Sequence, residues 1–90
     1  MADMRNDPEA RRRRARYRAA HRGTKEMDVL LGRFAEAEVD KMDDAELEAF
    51  EEFLALPDPD IENWLLARGC PAPEGQPGEF VARLKRFHGI

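Results

Sequence analysis

Apolar side chains return every three or four residues along most of the chain, and no stretch alternates apolar with polar positions as a half-buried strand would. Met27, Leu30, Leu31 and Phe34 form one such face. Leu47, Phe50, Phe53 and Leu54 form a second, Ile61, Trp64 and Leu65 a third, and Phe80, Val81, Leu84 and Phe87 a fourth. A further helix is predicted ahead of them, over residues 8–20, because Asp7-Pro8-Glu9 supplies a cap, a first-turn proline and an acid at the positive helix end.

Punctuation between these faces sets the expected boundaries. Gly23 reads as a stop for the first helix, and Thr24 as the cap of a second over residues 24–41, with Gly32 loosening its middle. Asp43 with Glu46 forms a capping box, Met42 and Leu47 a hydrophobic staple, and Pro57 ends that third helix. Asp58-Pro59 repeats the cap-then-proline signal for a fourth helix through about residue 68, stopped by Gly69 and anchored in the core by Trp64. Residues 70–78, CPAPEGQPG, read as a loop, followed by a last helix over residues 79–87. The expectation is an all-α, five-helix bundle: one domain over residues 1–90, with residues 1–7 a flexible start.

Charge changes this picture. The sequence is 38% charged, and residues 1–22 hold eight arginines and three acids, about +5, whereas residues 23–90 hold seven basic and sixteen acidic residues, about −9. A basic arm on an acidic body can meet a polyanion, an acidic partner surface or the body itself. Consecutive arginines 11–14 with Arg16 and Arg18 point around most of a helix, and Tyr17 is the only aromatic among them. Most of the body would repel nucleic acid, so a small nucleic-acid-binding regulator is the alternative reading. A toxin-antitoxin-type interaction module is a second one.

The inventory for catalysis is poor. The chain has no serine, one cysteine (Cys70) and two distant histidines (His21 and His88), and it lacks a glycine-rich phosphate loop and any dense zinc or calcium spacing. No enzyme, no metal site and no tightly bound cofactor are expected. A lone cysteine and no signal-peptide core point to a reducing cytoplasm, and no run approaches the roughly 20 apolar residues of a membrane span. Asp3, Asp7, Glu9 and the missing serines argue against reading the arginine-rich start as a mitochondrial presequence, so the matrix is the less favoured location.

One stretch, HRGTKEMD at residues 21–28, exceeds its structural duties. A helix stop accounts for Gly23 and the helix dipole for Glu26, but neither needs Arg22 or Asp28. A sharp turn at Gly23 would let Arg22 and Glu26 project from one corner as a donor fork and an acceptor, an arrangement suited to recognition.

Arg22-Gly23-Thr24-Lys25-Glu26 resembles the RGxxE motif of the succinate dehydrogenase assembly factors, the small flavinylation factors of the SdhE or Sdh5 family. The resemblance continues through Met27-Asp28, residues 30–34, residues 43–46 and the stretch PDPDIENWL at residues 57–65, and it covers about residues 17–75. It implies a five-helix chaperone that binds the flavoprotein subunit of succinate dehydrogenase, and in some bacteria that of fumarate reductase, and promotes covalent attachment of FAD to a histidine of that client. It further implies partner-binding residues Arg22, Gly23 and Glu26, with Asp28 beside them, and FAD held by the client. No nucleic acid and no membrane insertion are expected, and the free factor is expected to be a monomer.

Overall fold

The computed structural model describes residues 7–90, and five α-helices account for most of them: α1 (Pro8–Ala20), α2 (Lys25–Glu38), α3 (Asp44–Leu54), α4 (Asp58–Leu66) and α5 (Gln76–His88). The chain is an all-α bundle, as its periodicity requires. Of the expected flexible start only Asp7 lies within the described residues, and it caps α1, accepting from the Glu9 N–H at 3.0 Å. Thr24 caps α2 through the Met27 N–H, and Asp43 caps α3 through the Glu46 N–H at 2.8 Å. The capping box of α3 is half made, since the Glu46 carboxylate accepts from Arg83 of α5.

Five of the expected details differ. The second helix stops at Glu38 and tightens into a 3₁₀ turn, Val39–Lys41. α4 ends two residues early, at Leu66, and Pro57 rather than Asp58 stands at its cap position. α5 begins three residues early, at Gln76, because Pro77 enters its first turn, where the missing N–H costs nothing. Trp64 is half-buried and packs against the core from its flank. Ile61 and Leu65, one helical turn apart, take the inward line of α4 instead.

Four phenylalanines occupy the centre of the core. Phe50 lies 5.7 Å from Phe34 and 5.5 Å from Phe80, which is itself 5.5 Å from Phe53. Met27, Leu31, Leu47, Ile61, Val81 and Leu84 fill the space around them. Such tilted ring pairs add about 0.5–1.5 kcal/mol each beyond the area they bury.

The first helix has almost no apolar face, yet it packs closely. Ala15 and Ala19 are buried against α2, and a Cβ added at Gly32 would stand 3.2 Å from the Ala20 Cα and Cβ. Gly32 therefore leaves α2 unbroken and serves as the flat spot on which the end of α1 rests. The basic arm then meets the acidic body. Arg11 donates to Glu51 at 2.6 Å, Arg12 to the Met42 carbonyl at 2.8 Å, and Arg16 to Asp40 at 2.7 Å. Of the three partners that composition left open for the arginines, the body itself takes these.

Gly78 is a second close approach. A Cβ there would fall 2.0 Å from the Pro73 carbonyl oxygen, which belongs to backbone and cannot swing away. Gly78→Ala is expected to displace the 70–75 connection and cost about 2 kcal/mol, lowering the thermal midpoint by roughly 10 °C, as calorimetry would measure.

Candidate functional site

The connection between α1 and α2 is built from His21, Arg22, Gly23 and Thr24. His21 ends α1: its backbone leaves the helical region (φ −127°, ψ 67°), and its Nδ1 lies 2.8 Å from the Tyr17 carbonyl, donating to an oxygen that the helix no longer satisfies. Gly23 is not the stop that its position suggested. Its φ is not positive, so a left-handed turn is not what the position demands.

What it demands is room. The Gly23 N–H donates to Asp58 Oδ2 at 2.8 Å, and a Cβ on Gly23 would stand 3.2 Å from that same oxygen. The other oxygen, Asp58 Oδ1, receives Arg22 Nε at 2.9 Å and Nη2 at 2.6 Å, while Nη2 also reaches the Leu56 carbonyl at 3.4 Å. The Arg22 backbone N–H donates to Asp28 Oδ1. One carboxylate from the start of α4 and one from the first turn of α2 thus fasten both faces of the corner.

The sequence-predicted site residues therefore divide. Arg22 does not project: its side chain is 9% exposed and turned onto Asp58. Asp28 is half-buried and holds the Arg22 backbone. Glu26 does project, exposed on the second residue of α2, with no hydrogen-bond partner among the described residues. Near the positive end of α2 its charge is favoured, and the carboxylate is available to an outside donor.

Asp58 is the member that sequence reasoning missed. Its position before Pro59 reads as a helix cap, and its partners lie about 36 residues away. The only signal was that the resemblance rests on both stretches, RGTKE and DPD, which the fold brings together.

The electrostatics of Asp58 follow from these contacts. Burial pushes its carboxyl up, but the Gly23 N–H and the hydrogen bonds and charge of Arg22 outweigh burial and hold it below the usual carboxylate range. A group lowered on folding stabilises the fold above its unfolded value, about pH 4, and loses that contribution as pH falls through the folded value. The stability gap between the wild type and Asp58→Asn, from urea midpoints, is expected to stay constant from about pH 5 to 8 and to close as the pH drops below about 4.

Elsewhere the chemistry is sparse. Among the described residues no three His, Cys, Asp or Glu side chains lie together as metal ligands, and His88 Nε2 lies 2.7 Å from the Leu30 carbonyl. Cys70 is half-buried in the 70–75 connection, and no described helix is long and apolar enough to cross a membrane. Clefts among the described residues include one of about 260 Å³ lined by Phe34, Glu38, Arg83, Arg86 and Phe87, and one of about 590 Å³ between the C-terminal ends of α4 and α5.

Residues 13–88 match the Sdh5 family, described as flavinator of succinate dehydrogenase. The chain is 45% identical over 75 residues to the FAD assembly factor SdhE of Acetobacter pasteurianus, covering 83% of this chain and 68% of that one. It is 38% identical over 77 residues to the mitochondrial succinate dehydrogenase assembly factor 2 of Dictyostelium discoideum, covering 86% and 53%. It is 42% identical over 53 residues to the FAD assembly factor SdhE of Yersinia pseudotuberculosis, covering 59% and 60%. The match thus spans between half and about two thirds of these relatives' lengths. No solved structure gives a significant match.

Proposed function

The chain belongs to the Sdh5 family, the flavinators of succinate dehydrogenase, and from that premise we propose that it is an assembly factor that binds the flavoprotein subunit of succinate dehydrogenase and promotes covalent attachment of FAD to it. The observation that carries the reading is the fastened corner. Arg22, Gly23, Asp28 and Asp58 hold one another, and the exposed Glu26 carboxylate stands beside them. A corner locked by its own hydrogen bonds loses little freedom when a partner binds, so more of each contact appears as affinity.

Such a surface makes no bonds. The factor acts by selecting a client conformation in which the flavin and its attachment residue are already aligned, and the bond-forming chemistry belongs to the client. FAD stays with the client as substrate of that chemistry. The factor is not an enzyme in this reading. It works in the cytoplasm, is monomeric when free, and also serves the flavoprotein subunit of fumarate reductase.

Arg22, Gly23 and Asp28 shape the docking tip and Glu26 touches the client. Retrieval of the tagged factor from cells is expected to bring down a flavoprotein subunit. Recovery of a small basic protein, or of nucleic acid alone, would overturn the proposal.

A further inference from the structure

The arginines of α1 separate into two sets. Arg11, Arg12 and Arg16 are spent on Glu51, the Met42 carbonyl and Asp40, on the side of the helix that also buries Ala15 and Ala19. Arg13, Arg14 and Arg18 are exposed and have no acidic partner among the described residues. At 100° per residue, Arg13, Arg14, Tyr17 and Arg18 share an arc of about 140°, a continuous outward stripe. The stripe runs along the helix and ends at the corner that carries Glu26.

An aromatic platform stands at its centre. Tyr17 is 63% exposed, and the His21 ring stacks on it at 3.9 Å between centroids and 18° between planes. The contact of His21 Nδ1 with the Tyr17 carbonyl fixes the stack. A large aromatic ring left in water and held in one orientation by its neighbour adds nothing to the core. It is the kind of preorganised anchor that dominates interfaces.

We propose that this stripe, Arg13, Arg14, Tyr17 and Arg18 with His21, is a docking surface for an acidic patch on the client flavoprotein, continuous with the corner at Glu26. The inference rests on the function proposed above. Charge complementarity selects the occupant. The stripe is a strongly basic face on a body of about −9, so a folded partner with a confined acidic patch can meet it without confronting the acidic surface beyond. A long polyanion would run on from the stripe over acidic surface. The stripe's first task is to orient the encounter, and Glu26 acts once the surfaces have met.

Association of the purified factor with the client subunit, followed by stopped flow at several salt concentrations, tests this. Arg14→Glu/Arg18→Glu is expected to associate about tenfold more slowly at low salt, with the difference closing towards 0.5 M salt on the order of full screening. Tyr17→Ala, which alters no charge, is expected to raise the dissociation rate at all salt concentrations. Both variants should keep the wild-type thermal midpoint. A charge-reversed variant with wild-type rates and salt dependence overturns the stripe, and if Glu26→Ala is defective in the same assay the function reading stands without it. A wild-type factor that does not bind the client overturns both. Retention of a DNA or RNA duplex near physiological salt, lost in Arg14→Glu/Arg18→Glu, assigns the stripe to nucleic acid instead.

Discussion

Gly23→Arg is expected to leave the chain helical and to lower covalent flavin on the client at least about tenfold. The Gly23 N–H reaches Asp58 Oδ2 at 2.8 Å, and a Cβ would come within 3.2 Å of that oxygen, so even a methyl group crowds the contact. Arginine adds a second guanidinium beside a carboxylate whose two oxygens are already taken by Arg22 and the Gly23 N–H. The carboxylate would then be shared, the Arg22 side chain would lose its seat, and the start of α2 with Glu26 would move. A displacement of about 1 Å at a docking tip suffices for a tenfold loss or more, since alignment is what the factor contributes. None of the buried side chains of the core touches Gly23 by this route, so circular dichroism should be nearly unchanged. In-gel flavin fluorescence of the client reads the other half.

Asp58→Ala should strike both stability and function. It strands the Arg22 guanidinium, 9% exposed, with the Leu56 carbonyl as its remaining acceptor, and leaves the Gly23 N–H without a side-chain partner. Hydrogen bonds to charged groups contribute about 1.5–3 kcal/mol, and removing one member of a mostly buried pair falls at the upper end of that range or beyond. The thermal midpoint is expected to fall by roughly 10–20 °C. Arg22→Met removes the other member and leaves an acid that is more exposed, so it should cost less. The double variant Arg22→Met/Asp58→Ala should be more stable than Asp58→Ala alone, because no charge is then left unpaired. Client binding, by contrast, should be lost in all three. That split, stability partly restored and binding not, distinguishes a positioning role for Arg22 from a merely structural one.

The pattern of these effects explains what could be read from the chain. Helix starts were legible because they are written locally: Asp7, Thr24 and Asp43 each cap within three residues, and apolar spacing names the faces. The start of α5 is not legible locally, because Pro77 is compatible with a loop or a first turn and only its neighbours decide. Trp64 packs from the flank because Ile61 and Leu65 hold the inward line of α4, and side-chain size alone does not set depth.

The site was half legible for a related reason. Glu26 could be placed from its position in the first turn of a helix, a local property. Whether Arg22 displays its fork or clasps something depended on Asp58, far along the chain, and no local rule joins the two. Gly23 was recognised as special for the wrong cause: its φ is ordinary, and the need for glycine comes from an approaching carboxylate. The arginines of α1 were similarly undecided until the fold set Glu51 and Asp40 beside Arg11 and Arg16.

Glu26 offers the cleanest access to function, because it is exposed and has no hydrogen-bond partner among the described residues, so its removal leaves the corner standing. The decisive measurement is the time course of covalent flavin on the purified apo-flavoprotein subunit with free FAD, read by in-gel fluorescence with no factor, with wild type and with Glu26→Ala at equal concentration. Wild type should accelerate attachment well above the factor-free rate, and Glu26→Ala should fall back towards it with an unchanged circular dichroism spectrum. Equal rates with and without the wild-type factor would contradict the assembly role, and a Glu26→Ala time course identical to that of an active wild type would contradict the tip.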